Sequence, residues 1–148
     1  MPGGGTTQSD NATNIVETGA LIMRTYDEAM ALTREVRDYI AGQAPADKAA
    51  LDHDTQLVAS CEEMRVTARM TQVMAWLMLQ RAVNDGEIAR EDAAQPDNRL
   101  GGQETCLADP AVDPAYLPTR LNDLLARSRS LYERIQRLDM MLDPAGRA

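Results

Sequence analysis

The side chains best able to do chemistry in this sequence are few and scattered. His53 is the single histidine, and it sits between Asp52 and Asp54. One imidazole without further ligands makes neither a metal cage nor a proton relay. The triplet therefore reads as a solvated helix entry, with Asp52 or Asp54 as the cap. Glu62 and Glu63 are adjacent, so on a helix they diverge and do not share a site. No Glu-x-x-His occurs, which argues against a di-iron bundle. Gly3-Gly4-Gly5 lacks the Gly-Lys-Ser/Thr of a phosphate loop. Asn11-Ala12-Thr13 has the form of a glycosylation sequon, but no secretion signal precedes it. No catalytic, cofactor-binding or metal-binding residue is assigned; the sequence reads as that of a non-enzyme.

Two further groups carry weaker signals. Cys61 falls in an apolar seam and reads as a small core residue, whereas Cys106 lies in a long loop and reads as an exposed thiol. Arg120, Arg127 and Arg134 recur every seven residues, as do Glu28 and Glu35. Such charges flank helical seams and set helix pairing, each exposed pair contributing about 0–1 kcal/mol. A basic stripe for docking an acidic partner is the sharper alternative. Met64, Met70, Met74 and Met78 suit core packing or adaptable partner binding.

The elements that position these residues follow from composition and period. Hydrophobic residues make up 44% of the 148, with no Phe and nine Met. β-branched residues are sparse and helix formers dominate the periodic segments. A net charge of -8 disfavours bulk attraction to nucleic acid or anionic lipid. The apolar run Val73 to Leu79 is far shorter than the roughly 20 residues of a membrane span. The first residues resemble no secretory signal, and two lone cysteines fit a reducing compartment, so a cytoplasmic protein is expected.

Residues 1–13 read as a disordered tail. A first helix is predicted over about 19–41, with the seam Ile22, Tyr26, Ala29, Thr33, Val36 and Ile40. Asn14 with Glu17 offers an alternative capping box upstream. Gly42 and Pro45 stop this helix, and the short link 42–51 predicts an antiparallel neighbour. The central helix, about 55–84, carries the seam Leu57, Cys61, Met64, Ala68, Thr71, Ala75, Met78 and Ala82, and ends at Asn84-Asp85-Gly86. A short helix at about 87–94 precedes the flexible loop 95–116, which is functional or disordered. The last helix is predicted over 117–142, with the seam Leu117, Leu121, Leu124, Ser128, Leu131, Ile135, Leu138 and Leu142, followed by a short tail, 143–148.

The expected fold is all-α, an up-down-up antiparallel three-helix bundle with helices of roughly 34, 45 and 39 Å and a long loop between the second and third. A second stripe on the central helix, Val66, Met70, Val73 and Leu77, points opposite to its seam. Two neighbours cover only part of that helix, and each such side chain left wet forgoes roughly 1.5–3 kcal/mol. The stripe is therefore expected to be a protein interface, for a homodimer or another partner. The alternative is that the short helix and long loop fold back over it.

Several strings resemble one family. They are Arg24-Thr-Tyr-Asp-Glu-Ala-Met30, Met64-Arg-Val-Thr-Ala-Arg69, Ala75-Trp-Leu-Met-Leu-Gln-Arg-Ala-Val-Asn-Asp-Gly-Glu-Ile88, Arg99-Leu-Gly-Gly-Gln-Glu-Thr-Cys-Leu107 and Ser130-Leu-Tyr-Glu-Arg-Ile-Gln-Arg-Leu-Asp139. Over residues 20–142 the chain resembles the alphaproteobacterial regulator of CtrA degradation family. The resemblance implies a dimeric three-helix bundle without enzymatic activity or cofactor, acting as a cell-cycle adaptor for the ClpXP protease. It implies the ClpX unfoldase, a response-regulator adaptor, a cyclic-di-GMP-binding effector and proteolysis substrates such as CtrA as partners, and concentration at a cell pole. It carries over no contact residues. A generic dimeric scaffold and a small-molecule-binding bundle are the competing readings. DNA binding is disfavoured by charge.

Overall fold

The computed structural model describes residues 6–142, and within them every regular element is helical. In chain order these are α1 (Thr6–Ala41), α2 (Ala44–Ala49), α3 (His53–Asn84), α4 (Arg90–Ala93), α5 (Gln103–Cys106) and α6 (Thr119–Met141), with single 3-10 turns at Pro96–Asn98 and Pro114–Tyr116.

The element ends follow local chemistry. The Asp52 carboxylate accepts from the Thr55 amide at 2.9 Å and from its hydroxyl at 2.8 Å, capping α3. Those two bonds hold its carboxyl below the usual carboxylate range. Gly86 closes the other end of α3 at φ +78°, a conformation glycine adopts without steric cost. Pro45 and Pro118 stand where a missing amide costs nothing.

α1 begins at Thr6 rather than near Gly19, so residues 6–13, expected as a tail, are helical. Once a helix is nucleated by packing downstream, each added turn is cheap. Gly19 lies inside the helix because α3 ends against it: a Cβ there would meet Asn84 Oδ1 at 2.6 Å. Residues 8–17 are exposed. The tails expected at residues 1–5 and 143–148 lie outside the described residues.

Side-chain partners fix the helix directions. On α1 and α3, Tyr26 lies under the Arg81 guanidinium, 5.1 Å from the ring centroid, and Gly19 is level with Asn84, so these two run antiparallel. Glu28 pairs with Arg134 and Glu35 with Arg127 and Arg120, so α1 and α6 are antiparallel too. On α3 and α6, Arg69 reaches Leu125 and Ser128, while Trp76 reaches Asp139. Those numbers rise together, so α3 and α6 are parallel. The bundle is therefore up-down-down, not the expected up-down-up. The cause is residues 85–118: about 15 extended residues span the roughly 48 Å of α3, and this connection has ample length to return along it.

The core lies where the three long helices and the returning segment meet. Ile22, Ala29, Leu32 and Val36 of α1 face Val66, Met70, Val73 and Leu77 of α3 and Leu121, Leu124, Leu131 and Ile135 of α6. Leu100 and Cys106 of the connection complete the same cluster. The α6 seam follows its expected period through Ile135.

Candidate interaction surface

The connection crosses the bundle as a strap held at four levels. Arg99 Nε donates to Asp139 Oδ1 at 2.9 Å, and the Trp76 indole N–H donates to that same oxygen at 2.9 Å. Two turns back along α6, the Tyr132 hydroxyl donates to the Gly101 carbonyl at 2.6 Å. Arg69 Nε donates to the Cys106 carbonyl at 2.8 Å, while its Nη1 donates to the Leu125 carbonyl at 2.9 Å and Ser128 Oγ at 3.2 Å. At the last level Arg65 and Arg129 both reach Asp109, at 3.3 Å each. Gly101 and Gly102 let the strap lie close to α3: a Cβ at either would stand 3.2–3.3 Å from the Gln72 side chain. Gly102 also adopts φ +75°. A segment expected as a flexible loop is thus clamped, and its Arg99–Leu107 string supplies the clamping residues.

Burial sets the electrostatics of this seam. Arg69 is lowered from its ordinary range by desolvation first, then by the nearby Arg129 and Arg65 charges. The Cys106 thiol is pushed up by burial, against the pull of Arg69 and Arg65. Tyr132 is pushed up to about 12 by burial, with Cys106 and Asp139 adding to it. Glu62 and Glu63 are buried and separately paired: Glu62 accepts two bonds from Arg65 at 2.9 and 2.8 Å, and Glu63 accepts from Lys48 at 2.7 Å through one oxygen, its Oε1 being buried without a hydrogen-bond partner. Their divergence on the helix sends one to the strap side and the other to α2.

The expected interface stripe is inside the protein. Val66, Met70, Val73 and Leu77 are 1%, 3%, 0% and 0% exposed, so they are core and not a docking surface. The opposite seam is the one left open. Leu57, Met64 and Met78 are 65%, 71% and 57% exposed, and Cys61, Thr71 and Ala75 are exposed with them. Between Asp54 and Arg81, no exposed residue of α3 carries a charge. Two stripes of equal period were legible, and their assignments are exchanged. The physical reason is that buried Glu62, Glu63 and Arg69 flank the inner stripe. Glu62 pairs with Arg65 one turn along α3, and the partners of Glu63 and Arg69 lie on other elements, so by composition that side looked solvent-facing. Cys61 and Cys106 exchange places likewise: Cys61 is exposed and Cys106 fully buried.

Comparison with known proteins adds a lineage to this geometry. The model of a family described as a protein of unknown function, DUF1465, matches residues 15–147. The chain belongs to the DUF1465 family. The crystal structure of RcdA from Caulobacter crescentus CB15 superposes on it with a TM-score of 0.68, at 36% identity, covering 82% of this chain and 90% of that one. Among curated proteins nothing matches. This DUF1465 chain is thus RcdA-like in sequence and in fold.

The remaining candidate residues of this DUF1465 chain take structural places. His53 is the exposed first residue of α3, beside its cap. Arg120, Arg127 and Arg134 are engaged by Glu35, Asp123 and Glu28, which ties α6 to α1. Glu35 is accordingly held below the usual carboxylate range, chiefly by its bond from Arg127. No group of three metal-ligating side chains occurs among the described residues, and no described helix is long and apolar enough to cross a membrane. A cleft of about 330 Å³ opens between α1, the end of α3, α4 and the end of α6, with Ile22, Val83, Arg90 and Arg99 in its lining. Sequence reasoning missed Arg69, Trp76 and Asp139. The available signals were the chain's single tryptophan and an arginine set between Ala68 and Met70 in the most apolar helix.

Proposed function

We propose that this chain is a non-enzymatic adaptor that links substrates such as the cell-cycle regulator CtrA to the ClpXP protease, acting through protein contacts and as a homodimer. The observation that carries the reading is the RcdA likeness, which extends over 82% of the chain at 36% identity. The architecture supports it. A strapped bundle offers a rigid body, and the charge-free outer seam of α3 offers apolar surface beyond what one chain covers. The partners follow from the family resemblance: the ClpX unfoldase, a response-regulator adaptor, a cyclic-di-GMP-binding effector and the substrates themselves. The same resemblance favours a cytoplasmic protein concentrated at a cell pole.

The test is retention and turnover. Tagged protein incubated with host extract retains ClpX and the response-regulator adaptor, and deletion of the gene prolongs the lifetime of CtrA. Absence of both effects refutes the adaptor reading. The open α3 seam equally supports a dimeric scaffold unconnected with proteolysis, for which capture yields a dimer and a different partner set. The cleft beside Arg90 supports a small-molecule-binding bundle, and a reproducible thermal shift with metabolites would favour that reading.

A further inference from the structure

α1 outruns the helix it packs against. α3 ends at Asn84, level with Gly19, and residues 6–18 of α1 continue beyond that level for about 20 Å. The cleft of about 330 Å³ lies beside this extension, bounded elsewhere by the end of α3, by α4 and by the end of α6. Asn11, Ile15, Thr18 and Ile22 line it at steps of four, three and four, so one face of α1 is turned into it. Val83, Leu138 and Leu142 add apolar wall. At about 30 Å³ per water-sized group the cleft takes about eleven such groups, near the low end for ligand pockets. That is too little for a nucleotide and enough for a short acyl chain.

Charge selects the occupant. Arg90, Arg99 and Asp139 are the charged residues of the lining, and two guanidinium groups against one carboxylate leave it one positive charge. The chain as a whole carries a net charge of -8, and Glu91 and Asp92, which follow Arg90, lie outside the lining. Arg99 is engaged by Asp139, through Nε to the carboxylate at 2.9 Å and through Nη2 to the main-chain carbonyl at 3.3 Å. Arg90 is exposed and forms no ion pair with a described residue. It can therefore take up a ligand's charge without giving up a bond. A lining with one positive charge balances a carboxylate, whereas a phosphate monoester, at about −1.5 to −2, exceeds it.

We propose that this cleft binds a small amphiphilic carboxylate, its apolar chain lying between Ile15 and Leu138 and its carboxylate held by Arg90 beside Arg99. The site goes beyond the adaptor reading. Its failure would leave that reading untouched, because binding of a carboxylate needs neither protease nor substrate.

Octanoate titrated into the full chain tests it, with calorimetry for affinity and tryptophan emission for location. Asp139 Oδ1, which takes Arg99, also takes the Trp76 indole N–H at 2.9 Å, so a carboxylate arriving beside Arg99 shifts the emission of the chain's single tryptophan. Saturable binding with that shift is expected, and octanol, which has the chain without the charge, binds about tenfold more weakly. Arg90→Gln weakens octanoate about tenfold and leaves octanol unchanged. Ile15→Asp sets a second carboxylate in the apolar wall and abolishes binding of octanoate. Both positions are exposed, so both variants keep the parent's helical spectrum. Octanoate affinity unchanged by Arg90→Gln overturns the anchor, and octyl phosphate binding more tightly than octanoate overturns the carboxylate. Binding lost in Met64→Asp and retained in Ile15→Asp places the ligand on the open seam of α3 and overturns the site. An unshifted emission at saturation does the same. Absence of saturable binding up to about 10 mM overturns the proposal, whether residues 143–148 or a second copy fill the cleft instead.

Discussion

Replacing Arg69 by Met tests whether the strap is fastened as the hydrogen bonds indicate. The variant keeps much of the aliphatic stem and removes three charged donor contacts, at 2.8, 2.9 and 3.2 Å. Their losses are unequal. The Leu125 carbonyl and Ser128 retain each other through the Ser128 hydroxyl at 3.1 Å. The Cys106 carbonyl loses its donor in a buried site, a cost of about 1–3 kcal/mol. A charge-assisted bond contributes about 1.5–3 kcal/mol, and removal of the desolvated guanidinium offsets part of that loss. The net expectation is a destabilisation of about 3 kcal/mol, or about 6–12 °C in Tm for a chain of this size. The loss concentrates at α5, so the thiol of Cys106 reports it. In the native protein a thiol reagent modifies the exposed Cys61 quickly and the buried Cys106 slowly. At about 1.4 kcal/mol per decade, the variant raises the open population, and with it the rate of the slow thiol, by about 10²-fold. Amide exchange at Cys106 and Leu107, which donate to Gly102 and Gln103 at 2.8 and 3.0 Å, accelerates in parallel. A stability loss below about 0.5 kcal/mol in urea titration, or an unchanged rate at Cys106, refutes the assignment of Arg69 as the fastener.

The two stripes of α3 predict opposite outcomes. Val73→Asp places a carboxylate in the packed core and is expected to abolish cooperative folding, with a cost above about 4 kcal/mol; Met64→Asp melts within about 0.5 kcal/mol of the parent monomer. Circular dichroism melts separate them, and a folded Val73→Asp protein contradicts the core assignment. Tyr132 keeps its proton up to about pH 12 in the folded state, against about 10 when unfolded. A raised folded pKa contributes stability that is complete below pH 10 and lost as pH climbs through 12, on the order of 2 kcal/mol. Tyr132→Phe therefore flattens part of the alkaline unfolding limb and frees the Gly101 carbonyl. Tyr39, raised by burial and by its bond to Asp47, carries the remainder. An alkaline limb unchanged by Tyr132→Phe counts against this. Asp139→Ala removes the shared acceptor of Trp76 and Arg99, with an expected loss of about 2–4 kcal/mol and a shift in the emission of the lone tryptophan. Unaltered emission shows that the indole N–H bond is not formed.

What the sequence determined by itself was local. Period and composition placed three long helices, and Asp52, Gly86, Pro45 and Pro118 marked their ends, because caps, left-handed closure and missing amides act within a few residues. Two equal stripes on the central helix were also legible, as was the pairing potential of Glu28 and Glu35 with the arginines of α6. Tertiary structure decided three things. It chose which stripe of α3 faces inward, because Lys48 pairs with the buried Glu63 and the Leu125 carbonyl and Ser128 accept hydrogen bonds from the buried Arg69, all from other elements, and no helix-length window of sequence contains both partners. It turned α6 parallel to α3, because residues 85–118 return along the bundle. It buried Cys106 and exposed Cys61, because the strap covers one side of α3 and leaves the other open. Periodicity tells how often a helix presents an apolar side chain, and only the assembled neighbours determine which of those side chains meet water.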